Sequence, residues 1–150
     1  MTSGKSSRGF TLIELMVTVV IVAILAAIAY PSYMRQVREG KRTEGKTKLM
    51  KGAQLQERYY TDHNAYAGTS VFPTLFGLSS GATVYSSDDG TQAHASYVIT
   101  INTSTPSGGF TLTATPTNGF SDTECGNLTL NSYGVKGVSG GTQTDASKCW

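Results

Sequence analysis

Charge is scarce in this chain. Only 15% of its 150 residues are Asp, Glu, Lys or Arg, against roughly 25% in soluble domains. Twelve cations against ten acids leave a formal net charge of +2, too small a surplus for a strongly basic nucleic-acid binder. Two cysteines are too few for a scaffold built from disulfides. An apolar content of 39% is too high for a disordered acidic tail. Internal repeats are absent. His63 and His94 stand alone, with no HExxH motif and no Cys/His ligand spacing, and neither GxSxG nor a phosphate loop occurs. Nothing therefore points to an enzyme, a cofactor or a metal.

What the chain does have is gathered at one end. From Phe10 to Tyr30 it reads FTLIELMVTVVIVAILAAIAY, 21 residues with one charge, Glu14, followed by Pro31. At about 1.5 Å per residue such a helix spans roughly 30 Å, the thickness of a bilayer core. Ahead of it lies MTSGKSSRG, polar, with Lys5 and Arg8 and no acid. Positive charge there keeps that end in the cytoplasm and sends the rest of the chain across the membrane. Ala26, Ala27 and Ala29 suggest a secretory cleavage site, but the run exceeds the usual core of about 7–15 residues and begins with an acid. A plain membrane anchor leaves Glu14 unexplained, because an ionisable group costs about 2.5–3.5 kcal/mol at the centre of a spanning helix and less near its end.

Arg8-Gly9-Phe10-Thr11-Leu12-Ile13-Glu14, with a basic leader behind and an apolar helix ahead, resembles the prepilin peptidase site of the type IV pilin family, in its short-leader type IVa branch. The resemblance implies a cut between Gly9 and Phe10 and N-methylation of the new terminus at Phe10. It implies that Glu14 pairs with the terminal amine of a neighbouring subunit and sets the register of assembly. The alternative is that Glu14 merely favours the positive end of its own helix dipole. Pro31 falls where many of these pilins carry a helix-kinking proline. Val17, Val20, Ile21, Ile24, Leu25 and Ile28 cover most of the helix circumference, as burial in lipid or among copies requires.

Beyond Pro31 the composition turns polar. Residues 32–63 are helix-compatible, with Leu49, Ala53, Gln56 and Tyr60 on one face. Gly40, Gly45 and Gly52 weaken this helix and invite bending or local melting between Pro31 and Gly45. Asp62, His63 and Asn64 mark its end. Cations outnumber acids eight to four over 35–63; interleaved acids make this a solvated helix face rather than a nucleic-acid patch. Residues 64–96 read as a long Gly/Ser/Thr-rich connection with few apolar anchors, a short strand at Thr83–Tyr85 and a turn at Asp88-Asp89-Gly90. Alternation then places Tyr97, Ile99 and Ile101, Phe110, Leu112 and Ala114, and Leu128 and Leu130 on the core side of antiparallel strands. Ser107-Gly108-Gly109 supplies a loop and Pro116 ends a strand.

The fold expected is α+β: a long N-terminal helix packed on a small antiparallel sheet of three or four strands. The expected domains are a leader, 1–9; a hydrophobic helix, 10–30; and a head, 31–150, including the loop 64–96. Cys125 and Cys149, in a chain delivered outside the cytoplasm, are expected to form a disulfide. The region 125–149 then resembles the disulfide-bounded loop of type IV pilins, and CGNLTLNSYGVKG with KCW, and RTEGKTKLMKGAQLQERYY in the helix, resemble minor pilins of that family.

The resemblance implies a structural subunit of a type IV pilus, a minor pilin acting in assembly. Its partners would be other pilin subunits, a prepilin peptidase that also methylates, and an inner-membrane assembly platform. It would sit in the inner membrane with its head in the periplasm, then in the extracellular pilus. A type II secretion pseudopilin shares the same N-terminus. A DNA receptor for natural transformation fits less well, because the sheet region offers only Lys136 and Lys148 and phosphate binding needs clustered cations.

Overall fold

In a computed structural model the chain is described for residues 9–105 and 108–150. Helix α1 spans Leu12–His63, with Pro31 inside it. Asn64 ends the helix in the left-handed region, at φ 52°, a conformation asparagine tolerates. The chain divides into two compact units, one ending at Val37 and one running from Arg38 to Trp150. In the first, every described residue from Gly9 to Arg35 is exposed.

In the second unit, five strands form one antiparallel sheet in chain order: β1 Val84–Tyr85, β2 Tyr97–Asn102, β3 Thr111–Pro116, β4 Gly126–Asn131 and β5 Lys136–Gly140. The strands read from alternation are β2, β3 and β4, and their inward residues are those expected. Register follows the same logic, with Ile99 opposite Ala114, Ile101 opposite Leu112, and Leu112 opposite Leu130. The strand at Val84–Tyr85 pairs with Ile99 and Val98. β5 lies beyond the expectation. Its sequence KGVSG has one apolar residue, Val138, and its pairing to β4 defines it. Ser107 of the expected loop lies outside the described residues; Gly108 takes φ 71° there.

The helix face that covers the sheet is Arg42, Gly45, Leu49, Gly52 and Gln56, a spacing of three and four that keeps one stripe inward. Tyr60, expected on this face, is 40% exposed. Helix geometry runs unbroken through Gly40, Gly45 and Gly52, so the local melting expected between Pro31 and Gly45 is absent. A Cβ on Gly45 would lie 2.9 Å from Tyr97 Cδ2, and one on Gly52 3.1 Å from Leu112 Cδ1. Both glycines serve close packing of helix on sheet rather than flexibility.

The segment 64–96 is better anchored than its composition implies. Ala67, Phe72, Val84 and Ala95 are all buried. Phe72–Phe76 forms a 3-10 turn, and Phe72 packs edge-on against Phe76. A few well-placed apolar side chains suffice where Gly and Ser dominate the count.

Candidate processing and assembly site

Phe10 is 86% exposed, immediately ahead of the helix. Thr11 is the N-cap. Its hydroxyl accepts the Glu14 amide at 3.3 Å. Glu14 reaches back, and its Oε2 accepts the Thr11 amide at 3.1 Å and the Thr11 hydroxyl at 3.0 Å. This is a reciprocal capping box, which satisfies backbone donors the first helical turn leaves without partners. The sequence signal was the Thr-x-x-Glu spacing just before the apolar run, and the reading from helix dipole or partner amine overlooked it. The box includes nothing upstream of Thr11, so a cut between Gly9 and Phe10 would leave its atoms in place. Lys5 and Arg8 lie outside the described residues.

Past Glu14 the apolar side chains are all open. Val17, Val20, Ile21, Ile24, Leu25 and Ile28 are each at least half exposed. Among the described residues α1 is the helix long and apolar enough to cross a membrane. So continuous an apolar surface on every side is costly in water and calls for lipid or other helices around it.

On the second unit the sequence reading missed a buried ionic cluster. Arg42, assigned above to a solvated face, is 2% exposed. Its Nε donates to Asp122 Oδ2 at 2.6 Å and its Nη2 to Asp122 Oδ1 at 2.8 Å, a forked pair that suits guanidinium and carboxylate geometry. Glu39 accepts from Nη1 at 2.8 Å and Glu124 from Nη2 at 2.6 Å. The Tyr97 hydroxyl donates to Asp122 Oδ2 at 3.3 Å. Hydrogen bonds from Arg42 to Asp122 raise the guanidinium pKa above its usual value. Burial alone would raise the Asp122 carboxyl, but the Arg42 bonds, the Cys125 amide and the Arg42 charge outweigh it and hold the group below the ordinary carboxylate value. Burial, then the Asp122 charge, pushes the Tyr97 hydroxyl well above the usual tyrosine range. Glu39 is its one partner near in sequence, at an ordinary helix spacing, and the two that account for its burial, Asp122 and Glu124, lie 80 and 82 positions away.

Two further polar side chains knit the helix to the rest of this unit. Glu44 accepts from the Ser86 and Ser96 hydroxyls and from the Ser96 amide. Gln56, fully buried, donates to the Ala67 carbonyl and accepts from the Ala67 amide, both at 2.9 Å. Cys125 and Cys149 are joined, with Cα atoms 5.9 Å apart. The Asp122 and Glu124 carboxylates and the Cys125 sulfur lie within 4.8 Å of one another. The sulfur is bonded to Cys149 and both carboxylates to Arg42, so this group is a guanidinium cradle. His63 stacks on Tyr59 with centroids 3.9 Å apart, and His94 meets Asp89 at 2.8 Å. Asp89 also accepts from Thr91, which closes the Asp88–Gly90 turn.

The compact unit from Arg38 onward joins the second half of α1 to the sheet. Lys41, Lys46, Lys48, Lys51 and Arg58 therefore share a body with Lys136 and Lys148. Lys136 lies 5.2 Å from the Trp150 ring centroid, and Lys48 donates to the Ser87 carbonyl at 3.2 Å. Burial lowers the Lys46 and Lys48 pKa values.

A family model described as "Type IV minor pilin ComP, DNA uptake sequence receptor" matches residues 31–129. One described as "Prokaryotic N-terminal methylation motif" matches residues 4–30. The type IV major pilin protein PilA of Myxococcus xanthus is 41% identical over 61 residues, 41% of this chain and 28% of that protein. The type IV wide pilus major component PilA4 of Thermus thermophilus is 33% identical, covering 51% of this chain and 58% of that one. A type II secretion system core protein G of Pectobacterium carotovorum is 33% identical over 45% of this chain and 43% of the relative. The chain thus spans between 28% and 58% of the length of these curated relatives. A solved type IV pilin from Shewanella oneidensis aligns at a TM-score of 0.46 and 27% identity, over 75% of this chain and 96% of that one.

Proposed function

The chain belongs to the type IV minor pilin family, and from that premise we propose that it is a pilus subunit cut between Gly9 and Phe10, methylated on Phe10, and assembled through its apolar helix. The observation that carries this reading is the combination at one terminus of Gly9-Phe10, a capped Glu14 and an apolar helix exposed on every side. Before assembly the helix sits in the inner membrane with the head outside the cytoplasm. After extraction it packs against the helices of other subunits. There the Glu14 carboxylate faces the Phe10 amine of a neighbour, and opposite charges in an apolar bundle fix axial register. Pro31 supplies the bend. Cleavage requires a prepilin peptidase, and assembly an inner-membrane platform.

Mass spectrometry of sheared, purified pili tests this. The expected species begins with methylated Phe10 and is scarce beside the main subunit. Intact residues 1–9 in pili would overturn the processing, and high abundance the minor role. Similarity to type II secretion core protein G supports a pseudopilin as an alternative, whereas the disulfide-closed tail favours the pilin.

The family description also names a DNA uptake sequence receptor, which supports a second reading in which the head binds DNA. The expectation against nucleic acid treated the helix cations as a solvated face and counted only Lys136 and Lys148 on the sheet region. With the helix cations on the same unit, nine cations stand beside nine acids from Arg38 to Trp150. A site must therefore come from local clustering, and one candidate group is Lys46 with Lys136, whose charge it feels, and Trp150, which Lys136 overlies. Binding of duplex DNA by the full chain in detergent, measured across salt, separates the readings. Each phosphate contact contributes a slope of about −0.9 in log K against log salt. Lys46→Glu and Lys136→Glu should each weaken binding; the absence of salt-sensitive binding would set the DNA reading aside.

A further inference from the structure

Cys125 and Cys149 are both positioned by contacts that involve no sulfur. Asp122 Oδ1 accepts the Cys125 amide at 3.1 Å while it also receives Arg42 Nη2, and the Asp122 carbonyl accepts the Gly126 amide at 2.7 Å. The turn that carries Cys125 thus hangs from helix α1 by one buried guanidinium. On its other side, the Thr142 and Gln143 amides donate to the Thr123 and Glu124 carbonyls at 3.0 and 2.8 Å. A Cβ on Gly126 or Gly141 would collide with backbone across this contact, 2.3 Å from Ser139 O or Glu124 O. Cys149 ends a short turn capped by Asp145, whose Oδ1 accepts the Ser147 amide and hydroxyl. Trp150, the next residue, donates its indole N–H to the Gly137 carbonyl of β5 at 3.0 Å.

We propose that Arg42 and Asp122 form a latch that closes before the disulfide, so that the substrate for oxidation is a folded head presenting two adjacent thiols. Arg42 and Asp122 are positioning residues for that reaction. The oxidant is an external disulfide of the exchange type. The thiolate of one cysteine attacks it and expels one thiol. The second cysteine then attacks the mixed disulfide and expels the other. Two protons and two electrons leave the cysteines, and the oxidant becomes two thiols. The latch acts by holding Cys125 where Cys149 can reach it, and the staple then locks a geometry already made.

The test equilibrates the full chain, in detergent micelles, with reduced and oxidised glutathione, and reads the effective concentration of the thiol pair. While the reduced chain stays folded, this quantity reports local thiol placement and not global stability. Wild type should lie far above the same chain in concentrated guanidinium. Arg42→Met and Asp122→Asn should each lower it by about tenfold, the weight of a charged hydrogen bond. Gln56→Leu, which cuts a buried contact away from the cysteines, should leave it within about twofold, well under one such bond. An equal fall in all three would overturn the proposal. Should Arg42→Met fail to fold, Arg42→Lys, which keeps the charge and loses the fork, should give an intermediate fall; no fall would overturn it. The chain carrying Cys125→Ser and Cys149→Ser should keep the near-ultraviolet circular dichroism of the folded head; its loss would show that the disulfide comes first.

Discussion

Gly40 and Gly45 lie on one helix and lack side chains for different reasons. A Cβ on Gly40 meets nothing within 4 Å, whereas one on Gly45 presses on the Tyr97 ring at 2.9, 3.1 and 3.2 Å. Alanine at Gly40 should stabilise the head by about 1 kcal/mol through helix propensity. At Gly45 the same gain is opposed by overpacking of about 1–3 kcal/mol, so Gly45→Ala should be neutral to destabilising by about 2 kcal/mol. Paired denaturant titrations should show a gain at Gly40 and none at Gly45 if close packing is the reason for Gly45. Gln56→Leu should cost about 2–4 kcal/mol, because the Ala67 amide and carbonyl both lose their partner inside the head. The sequence put Gln56 on the helix face with Leu49, but neither its partner nor the reason for Gly45 was legible. A glycine in a helix signals weakness whether it faces water or a ring, and a glutamine on a helix face does not say what it bonds to. The difference is made by Tyr97 and Ala67, which only the tertiary fold brings near.

At the scale of elements, strands β2, β3 and β4 were readable because each buries one face and their residues alternate. β5 was not, since KGVSG carries no alternation and its strand geometry comes from pairing with β4 and from Trp150 bonding to Gly137. Helix α1 was readable at both ends and only in part along its inward face, where Leu49 and Gln56 were placed and Arg42, Gly45 and Gly52 were not. Arg42 sits among seven other cations of residues 35–63 and differs from them only in having Asp122 opposite. That contact joins α1 to the loop between β3 and β4, and it makes the junction sensitive to acid. The Asp122 pKa is lowered in the folded state. Its stabilisation is therefore fully present above the unfolded value of about 3.9 and is lost as pH falls through the lower folded value. Denaturant titrations from about pH 5 down to pH 2 should show stability falling across this window. In Asp122→Asn the protein should be weaker at pH 7, and that part of the slope should vanish. Asp89 and Asp145 are also lowered, by hydrogen bonds from Thr91 and Ser147. Both lie at exposed turns, so added salt should weaken their share while leaving that of the buried Arg42–Asp122 pair.

For the whole molecule, the net charge of +2 resolves into an uneven distribution. Lys5 and Arg8 supply the whole surplus, and removal of the leader leaves equal numbers of cations and acids. In the proposed processing, charge ahead of Gly9 would serve orientation, and Glu14 is the one charged side chain between Phe10 and Tyr30. Its capping box settles how the uncut chain tolerates it: Thr11 satisfies one carboxylate oxygen locally. Capping alone, however, asks only for an acceptor, so the two roles of Glu14 can be separated. Glu14→Gln keeps a side-chain oxygen for the Thr11 amide and loses the charge. Glu14→Leu loses both. If the carboxylate serves only as a cap, Gln should assemble normally and Leu should cost about 0.5–2 kcal/mol of helix stability. If it pairs with the Phe10 amine of a neighbour, both variants should be cut after Gly9, yet both should be depleted from sheared pili. The ionic pair is the stronger partner in an apolar bundle, so equal depletion of Gln and Leu is the expected result. Immunoblots of shed filaments against whole cells measure it, with Gly9→Val, which should block the cut, as the control that stays in the membrane.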